Sequence, residues 1–206
     1  MLKLLIHFDQ IIHDNEFLFF RLQRLRALLS SGNIPKDSVG LIIGPPRSAN
    51  TFALRLVRTV WPQLKFTTHL HSVAAMYAAK RHGKKIVYLD REIDDVVLSL
   101  LLKRHLSTRK LKMYYKFYYH RFSRQRDLAY SMDEVEKFSF DELTANPESF
   151  VRKVAEIFNL SLPDNLSTLI SHVKTSHFDD NRKINERTFP DEKKINMKKL
   201  LRTRLQ

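Results

Sequence analysis

The 206-residue sequence contains no cysteine, only 4 glycines and only 7 prolines. Without cysteine, a disulfide scaffold, a thiolate zinc site and a cysteine nucleophile are excluded. The scarcity of glycine and proline excludes collagen-like repeats and long flexible linkers. No apolar run approaches the roughly 20 residues that a membrane-spanning helix needs, and the apolar run near the first residue is too short for a signal peptide. We therefore expect a soluble, cytoplasmic protein.

Positive charge is abundant and unevenly distributed. The sequence carries 36 lysines and arginines against 22 acidic residues, a net charge of +14. Residues 103–126 hold nine cations and no acid, and residues 182–206 hold nine cations and three acids. Such local fields predict an anionic partner: a nucleic acid, a nucleotide, an acidic glycan or a membrane surface. The length predicts one domain over 1–206, with an N-terminal helical segment at 1–35 and a basic tail at 180–206.

Short apolar runs alternate with amphipathic helical patterns from residue 39 onward. The runs are typical of strands buried on both faces of a parallel sheet. The predicted strands are 39–43, 65–68, 85–89 and 136–140, and the predicted helices are 50–60, 73–82, 94–101 and 147–160. Predicted helix N-caps are Asp14 or Asn15, Asp94, and Asn146, which precedes a proline. The alternation predicts an α/β fold, a three-layer α/β/α sandwich around a mostly parallel central sheet.

Aromatic residues are interleaved with the cations of residues 103–126. The favoured interpretation is an amphipathic helix that packs Leu111, Tyr115, Tyr118 and Phe122 inward and leaves its cations in solvent. The alternative is a binding surface, where aromatic rings stack on bases or sugars and cations contact phosphate or sulfate.

The loop between the first predicted strand and its helix, residues 44–52, carries the strongest chemical signal. In open parallel sheets, ligands bind just beyond the carboxyl ends of the strands. A helix N-terminus after a tight loop presents backbone N–H groups that suit an anion. Arg47 adds a permanent charge, and Ser48, Asn50 and Thr51 add short polar groups. Together these residues predict a phosphate or sulfate site.

The same loop does not fit the Walker A pattern. Where that pattern calls for a glycine and a phosphate-binding lysine, the sequence has Ala49 and Asn50. A function in ATP or GTP hydrolysis therefore loses its best support. A P-loop-like nucleotide kinase or nucleotide-binding module, and a basic nucleic-acid-binding domain, stay as alternatives.

Four segments, in order along residues 39–162, carry a resemblance to a known family. They are the loop GPPRSANTF, the tripeptide Thr68–His69–Leu70, the stretch IVYLDREIDDVVLSLLLK, and FSFDELTANPESFVRKVAEIFNLSL. In these segments the sequence resembles the sulfotransferases that use 3′-phosphoadenosine 5′-phosphosulfate (PAPS). The resemblance implies a P-loop-like fold and transfer of a sulfuryl group from PAPS to a hydroxyl or amine of an acceptor, for which a glycan is one candidate. It implies 3′,5′-ADP as the product and no metal ion.

The resemblance also implies roles for individual residues. Arg47 would bind the 5′-phosphate and its bridging oxygen and act in catalysis, and the following loop residues Ser48, Ala49, Asn50 and Thr51 would line that site. Phe52 would stack on adenine. The 3′-phosphate would be bound by Arg91 and Ser99. The remaining nucleotide-contacting candidates are Phe140 and the pair Arg182 and Lys183, which echo a C-terminal family motif without its glycines.

His69 is the residue that the resemblance implies as general base, because a neutral imidazole can accept the proton of the acceptor. His71 is a rival two residues later, and Glu92 is a further alternative. A metal site at these two histidines lacks a convincing third ligand. A homologue that binds the nucleotide without turnover is also compatible with the sequence. We expect no nucleic acid and no transmembrane segment, and the sequence leaves the acceptor and the oligomeric state open.

Overall fold

A computed structural model describes residues 37–68, 70–102, 107–184 and 192–205, together with Ile11, Asn15 and Leu18; the side chains of residues 177–184 and of Lys193 lie outside this description. The strands are β1 (Gly40–Ile43), β2 (Phe66–Thr67), β3 (Lys85–Asp90) and β4 (Val135–Ser139). The helices are α1 (Asn50–Val60), α2 (Val73–Arg81), α3 (Ile93–Leu101), α4 (Thr108–Ser131), α5 (Phe140–Ala145), α6 (Pro147–Phe158), α7 (Leu166–Ile184) and α8 (Glu192–Leu205).

The four strands form one sheet in the order β2–β1–β3–β4, and every neighbouring pair is parallel. In the central pair, Ile43 of β1 lies opposite Tyr88 of β3. At the next interface, Leu89 of β3 lies opposite Phe138 of β4. The predicted α/β class with a parallel sheet is thus confirmed.

Helices cover both faces of the sheet, because side chains alternate between faces along each strand. On one face, Ile42, Val87 and Leu89 pack with apolar residues of α1, α6 and α7. On the other face, Leu41 and Tyr88 pack with residues of α2 and the end of α4. A third cluster joins α3, α4 and α8 beside the sheet.

The strand order places a topological switch point between β1 and β3. From β1 the chain crosses to β2 on one side, and from β2 it returns past β1 to β3 on the other. The connections that leave the carboxyl ends of β1 and β3 therefore diverge and leave a crevice between them, where open α/β sheets bind ligands. Residues 44–49 follow β1 at this crevice, and Arg91 follows β3.

The N-cap predicted at Asn146 is confirmed and the one at Asp94 is wrong, whereas the helix predicted after Asn15 falls mostly on residues outside the described part of the chain. Asn146 Oδ1 accepts a hydrogen bond from the Ser149 backbone N–H (3.2 Å) at the start of α6, and Asn15 Oδ1 accepts one from the Leu18 backbone N–H (3.0 Å). Asp94 does not cap α3, which begins one residue earlier at Ile93. Its carboxylate instead accepts hydrogen bonds from side chains of α4 and α8, so long-range ion pairing has replaced the predicted local role.

For the described part of the basic aromatic segment, the predicted inward packing is confirmed, but Arg121 and Arg126 are partly buried and not left in solvent as predicted. Leu111 and Phe122 of α4 are almost fully buried, and Tyr115 and Tyr118 are partly buried in the cluster with α3. Helix α8 joins that cluster through Leu201. Among the described helices, none combines the length and the apolar composition required to cross a bilayer.

Candidate functional site

Gly44 begins the loop after β1 and lies close to the backbone of β3. A Cβ atom at this position would lie 2.4 Å from the Leu89 carbonyl oxygen, so only glycine fits. Further along, Arg47 and Ala49 have positive φ angles of 73° and 58°. Non-glycine residues adopt this left-handed conformation infrequently, and functional loops are a common place for it.

The loop buries polar side chains. The Asn50 Nδ2 donates a hydrogen bond to the Pro45 carbonyl (2.8 Å), which closes the loop on itself. Ser48 is fully buried, and within the described part of the chain neither Ser48 Oγ nor Asn50 Oδ1 has a hydrogen-bond partner. Thr68 Oγ1, just after β2, and Asp90 Oδ1, at the end of β3, are in the same condition. Because buried polar atoms are nearly always satisfied, these four atoms at the ends of neighbouring strands make this edge a candidate binding site, although Tyr88, Arg121 and Gln125 also have such atoms elsewhere in the described structure.

Helix α1 begins at this loop, and the side chain at its N-cap position does not cap it. Ala49 occupies the N-cap position and has no side chain that could accept from the first N–H groups, and the first turn contains no acidic residue. The first N–H groups of a helix have no intrahelical acceptor and lie at the positive end of the helix dipole. With the buried Ser48 hydroxyl beside them, they suit an anion.

Arg91 connects β3 to this loop. Its Nη1 donates a hydrogen bond to the Arg47 carbonyl, and its Nη2 donates to Asp95 Oδ2 (2.6 Å). Its guanidinium also lies over the Phe140 ring, with the central carbon 4.1 Å from the ring centroid. A guanidinium has five N–H donors, so these two hydrogen bonds leave donors for an anion.

Ser99 lies on the same helix face as Asp95, because residues four apart stack one turn above each other on a helix. It is half-buried, and it lies one turn further along α3 than the carboxylate that binds Arg91. Arg91 is thus in direct contact with the Arg47 backbone, and Ser99 lies one helical turn beyond Asp95, the carboxylate partner of Arg91.

His71 approaches the loop from the segment after β2. Its Nδ1 lies 2.7 Å from the Gly44 carbonyl oxygen. A carbonyl can only accept, so Nδ1 carries the proton and the lone pair of the neutral ring lies on Nε2, the form that can accept a proton. His71 has a φ of 39°, and Arg121 Nη2 of α4 donates to its carbonyl (3.3 Å). His69, the predicted base, lies outside the described residues.

A second charged cluster lies at the end of β3, and the sequence did not predict it. Asp90 is 8% exposed, and its Oδ2 accepts hydrogen bonds from Arg126 (2.9 Å) and from the Tyr130 hydroxyl (2.8 Å), both on α4. The hydrogen bond to this carboxylate raises the pKa of Tyr130 and keeps the phenol protonated as a donor. Since α4 begins 18 residues after Asp90, no local sequence signal could have paired these residues.

The other predicted nucleotide contacts fall in different environments. Thr51 is exposed in the first turn of α1. Phe52 is 7% exposed and packs in the core between α1 and the sheet, which argues against its predicted stacking on adenine. Phe140 lies at the site, under Arg91. Arg182 and Lys183 belong to α7, but their side chains lie outside the described residues. In the described part of the chain, no group of three or more histidine or acidic residues could hold a metal ion.

Comparison of the sequence with protein families finds no family model that matches, and comparison with proteins of curated function finds no significant match. The resemblance to PAPS-dependent sulfotransferases therefore depends on short motifs and their order.

Proposed function

We propose that this protein is a PAPS-dependent sulfotransferase that transfers a sulfuryl group to a hydroxyl or amine of an acceptor. The observation that carries the proposal is the hydrogen bond from Arg91 Nη1 to the Arg47 carbonyl. It brings the residue proposed to bind a 3′-phosphate into contact with the loop proposed to bind a 5′-phosphosulfate. A nucleotide with phosphate groups at both ends of its ribose is the ligand class that suits two anion sites so close together.

The loop after β1 would bind the 5′ end of the nucleotide. The buried Ser48 hydroxyl, without a partner in the described structure, and the first N–H groups of α1, which no N-cap side chain binds, would donate to its phosphosulfate oxygens. Arg47 would add a full positive charge next to the bridging oxygen. Such fixed donors stabilise the negative charge that develops on a leaving phosphate, without reorganisation during the reaction.

Arg91 and Ser99 would bind the 3′-phosphate. Arg91 is already oriented by the Arg47 carbonyl, Asp95 and the Phe140 ring, so little side-chain entropy is lost on binding. When bound, PAPS would supply the activated sulfuryl group. The chain's own part is to hold both ends of the nucleotide and to receive the acceptor's proton.

The base is proposed to be His69, on the resemblance of the Thr68–His69–Leu70 tripeptide. His71 is the alternative that the contacts favour, because the Gly44 carbonyl fixes it in the tautomer with a basic Nε2. Either histidine would accept the acceptor's proton as the new bond to sulfur forms.

Selective recognition of the 3′-phosphate is the test of the proposal. Isothermal titration with 3′,5′-ADP and with 5′-AMP, both in EDTA, compares ligands that differ only in that phosphate. We expect 3′,5′-ADP to bind at least ten-fold more tightly, as one charge-assisted phosphate contact provides about 1.5–3 kcal/mol. A kinase or general nucleotide-binding module predicts instead a requirement for magnesium and indifference to the 3′-phosphate.

Two further measurements separate the remaining alternatives. Incubation with radiolabelled PAPS and a panel of hydroxyl and amine acceptors, glycans included, distinguishes an enzyme from a homologue that only binds. A nucleic-acid-binding domain predicts strong binding to DNA or RNA that falls steeply with salt. Equal affinity for the two nucleotides would overturn the proposal.

A further inference from the structure

The C-terminal helix contributes a charge to the surroundings of Arg91. Lys198 of α8 lies 103 positions after Asp95 along the chain, yet its Nζ is 2.6 Å from Asp95 Oδ1. The other oxygen of the same carboxylate, Oδ2, accepts from Arg91 Nη2 at 2.6 Å. Asp95 therefore bridges a residue of the C-terminal helix and the arginine that contacts the loop after β1.

The three side chains of this bridge are mostly removed from solvent. The exposed fractions are 19% for Arg91, 27% for Asp95 and 16% for Lys198. Burial acts to raise the pKa of Asp95. The hydrogen bond from Lys198 and the charge of Arg91 together lower this pKa by more than burial raises it, so the carboxylate stays ionised. Electrostatic interactions are screened little at such sites.

The charge balance of the bridge decides what an incoming anion meets. Arg91 and Asp95 alone form a neutral pair, and an anion approaching Arg91 would also be repelled by the carboxylate. Lys198 restores one net positive charge and occupies the second carboxylate oxygen, so Asp95 cannot rotate away from Arg91.

We infer that Lys198 is a positioning residue for the 3′-phosphate site, which makes the C-terminal helix part of the nucleotide-binding machinery. The inference rests on the proposed function, since it assumes that Arg91 binds the 3′-phosphate. Lys198 acts through Asp95 and Arg91 and does not itself contact the nucleotide.

The same helix provides a matched control. Arg202, one turn after Lys198, makes a similar ion pair with Asp94, the neighbour of Asp95, through Nε (2.9 Å) and Nη2 (2.6 Å). Asp94 is bonded to Tyr115 and makes no described contact with Arg91. Both cations attach α8 to α3, but only Lys198 shares a carboxylate with Arg91.

The experiment measures the affinities for 3′,5′-ADP and 5′-AMP by isothermal titration in the full chain and in Lys198→Met, Lys198→Arg and Arg202→Met, with thermal unfolding to verify that each variant is folded. We expect Lys198→Met to weaken 3′,5′-ADP binding roughly ten-fold, the effect of one uncompensated charge close to the site, and to leave 5′-AMP binding within about two-fold. Lys198→Arg should restore the affinity, and Arg202→Met should leave it within about two-fold.

Each other outcome overturns the inference in a recognisable way. If Lys198→Met and Arg202→Met weaken binding equally, the helix matters only because it is attached. If Lys198→Met binds both nucleotides like the unaltered chain, Lys198 has no part in the site, while the proposed function stands. If the unaltered chain does not prefer 3′,5′-ADP, the proposed function fails, and this inference fails with it. Should Lys198→Met unfold, the Lys198→Gln variant, which keeps a polar side chain, is held to the same criteria.

Discussion

The loop after β1 and the segment after β3 lie side by side at one edge of the sheet, but they are built in opposite ways. In the loop, the backbone determines the shape: Arg47 and Ala49 have positive φ angles, and buried Ser48 lacks a partner in the described structure. After β3, charged side chains determine the shape: Asp90 accepts hydrogen bonds from Arg126 and Tyr130, and Arg91 donates to the Arg47 carbonyl and to Asp95.

This difference separates two tasks that the proposed nucleotide site would have to perform. The buried Ser48 hydroxyl, which has no hydrogen-bond partner in the described structure, gains most when a ligand arrives, because it has been desolvated without being bonded. Charged groups after β3 are already oriented, and therefore add attraction and direction at little entropic cost. Substitutions in the loop should thus alter ligand binding or backbone packing. A substitution after β3 should affect either ligand binding or protein stability, depending on which groups the substituted side chain binds.

The largest effect is expected at the base. His69→Asn should lower the turnover number for sulfuryl transfer about 10²- to 10⁴-fold and leave 3′,5′-ADP affinity nearly unchanged, since general-base catalysis contributes that much. Turnover is followed with radiolabelled PAPS. The same substitution at His71 is the matched comparison, because asparagine tolerates its positive φ and can still donate to the Gly44 carbonyl. If only His71→Asn lowers the turnover number, His71 and not His69 is the general base.

Gly44→Ala tests the contact between the two regions. The added Cβ would lie 2.4 Å from the Leu89 carbonyl, so β1 and β3 must separate. We expect the free energy of unfolding to fall by about 3 kcal/mol, measured by urea denaturation. Gly83→Ala is the control: it has a positive φ of 61° but nothing within 4 Å of the new Cβ, so about 1 kcal/mol of backbone strain is expected. Equal losses in the two variants would contradict the close approach at Gly44.

Arg91→Met and Arg126→Met should have opposite signatures, although both arginines bind carboxylates near the end of β3. Arg91→Met should weaken 3′,5′-ADP binding roughly 10- to 100-fold with a small effect on stability, because Asp95 keeps Lys198. Arg126→Met leaves the buried Asp90 carboxylate with Tyr130 alone and should lower the free energy of unfolding by about 1–3 kcal/mol. Isothermal titration and urea denaturation of both variants check this. If both variants lose the same property, whether affinity or stability, the two arginines do not have the different roles proposed here.

Local signals predicted most of the framework. The apolar run before Gly44 and the pair Asn146–Pro147 specify a strand and a helix start through nearby residues alone, and both were found where expected. The prediction of an anion site in the loop after β1 has the same local origin, since its polar residues are consecutive in sequence.

Features that depend on distant contacts could not be predicted. Asp94 has the residue type and position of an N-cap, but its carboxylate binds Tyr115 and Arg202, which lie 21 and 108 positions away. The basic tail was predicted to carry a field for an anionic partner, yet Lys198 and Arg202 are paired with acids of α3. Charge counts along a sequence do not show which cations the fold neutralises.

The smallest effect is expected from a comparison of two buried hydroxyls: Ser48, which has no hydrogen-bond partner in the described structure, and Ser38, which has two. Ser48→Ala removes a buried hydroxyl without a partner in the described structure, so the free energy of unfolding should change by less than about 0.5 kcal/mol. The same variant should bind 3′,5′-ADP about five-fold more weakly, the loss of one neutral hydrogen bond. Ser38→Ala is the counterpart: Ser38 is equally buried, but it donates to the Gly40 carbonyl (2.9 Å) and accepts from Thr67 (2.9 Å). It should lose about 1–2 kcal/mol of stability and no affinity. If Ser48→Ala instead destabilises the free protein as much as Ser38→Ala, its hydroxyl is already satisfied before any ligand binds, and the loop is not a site held open for an anion.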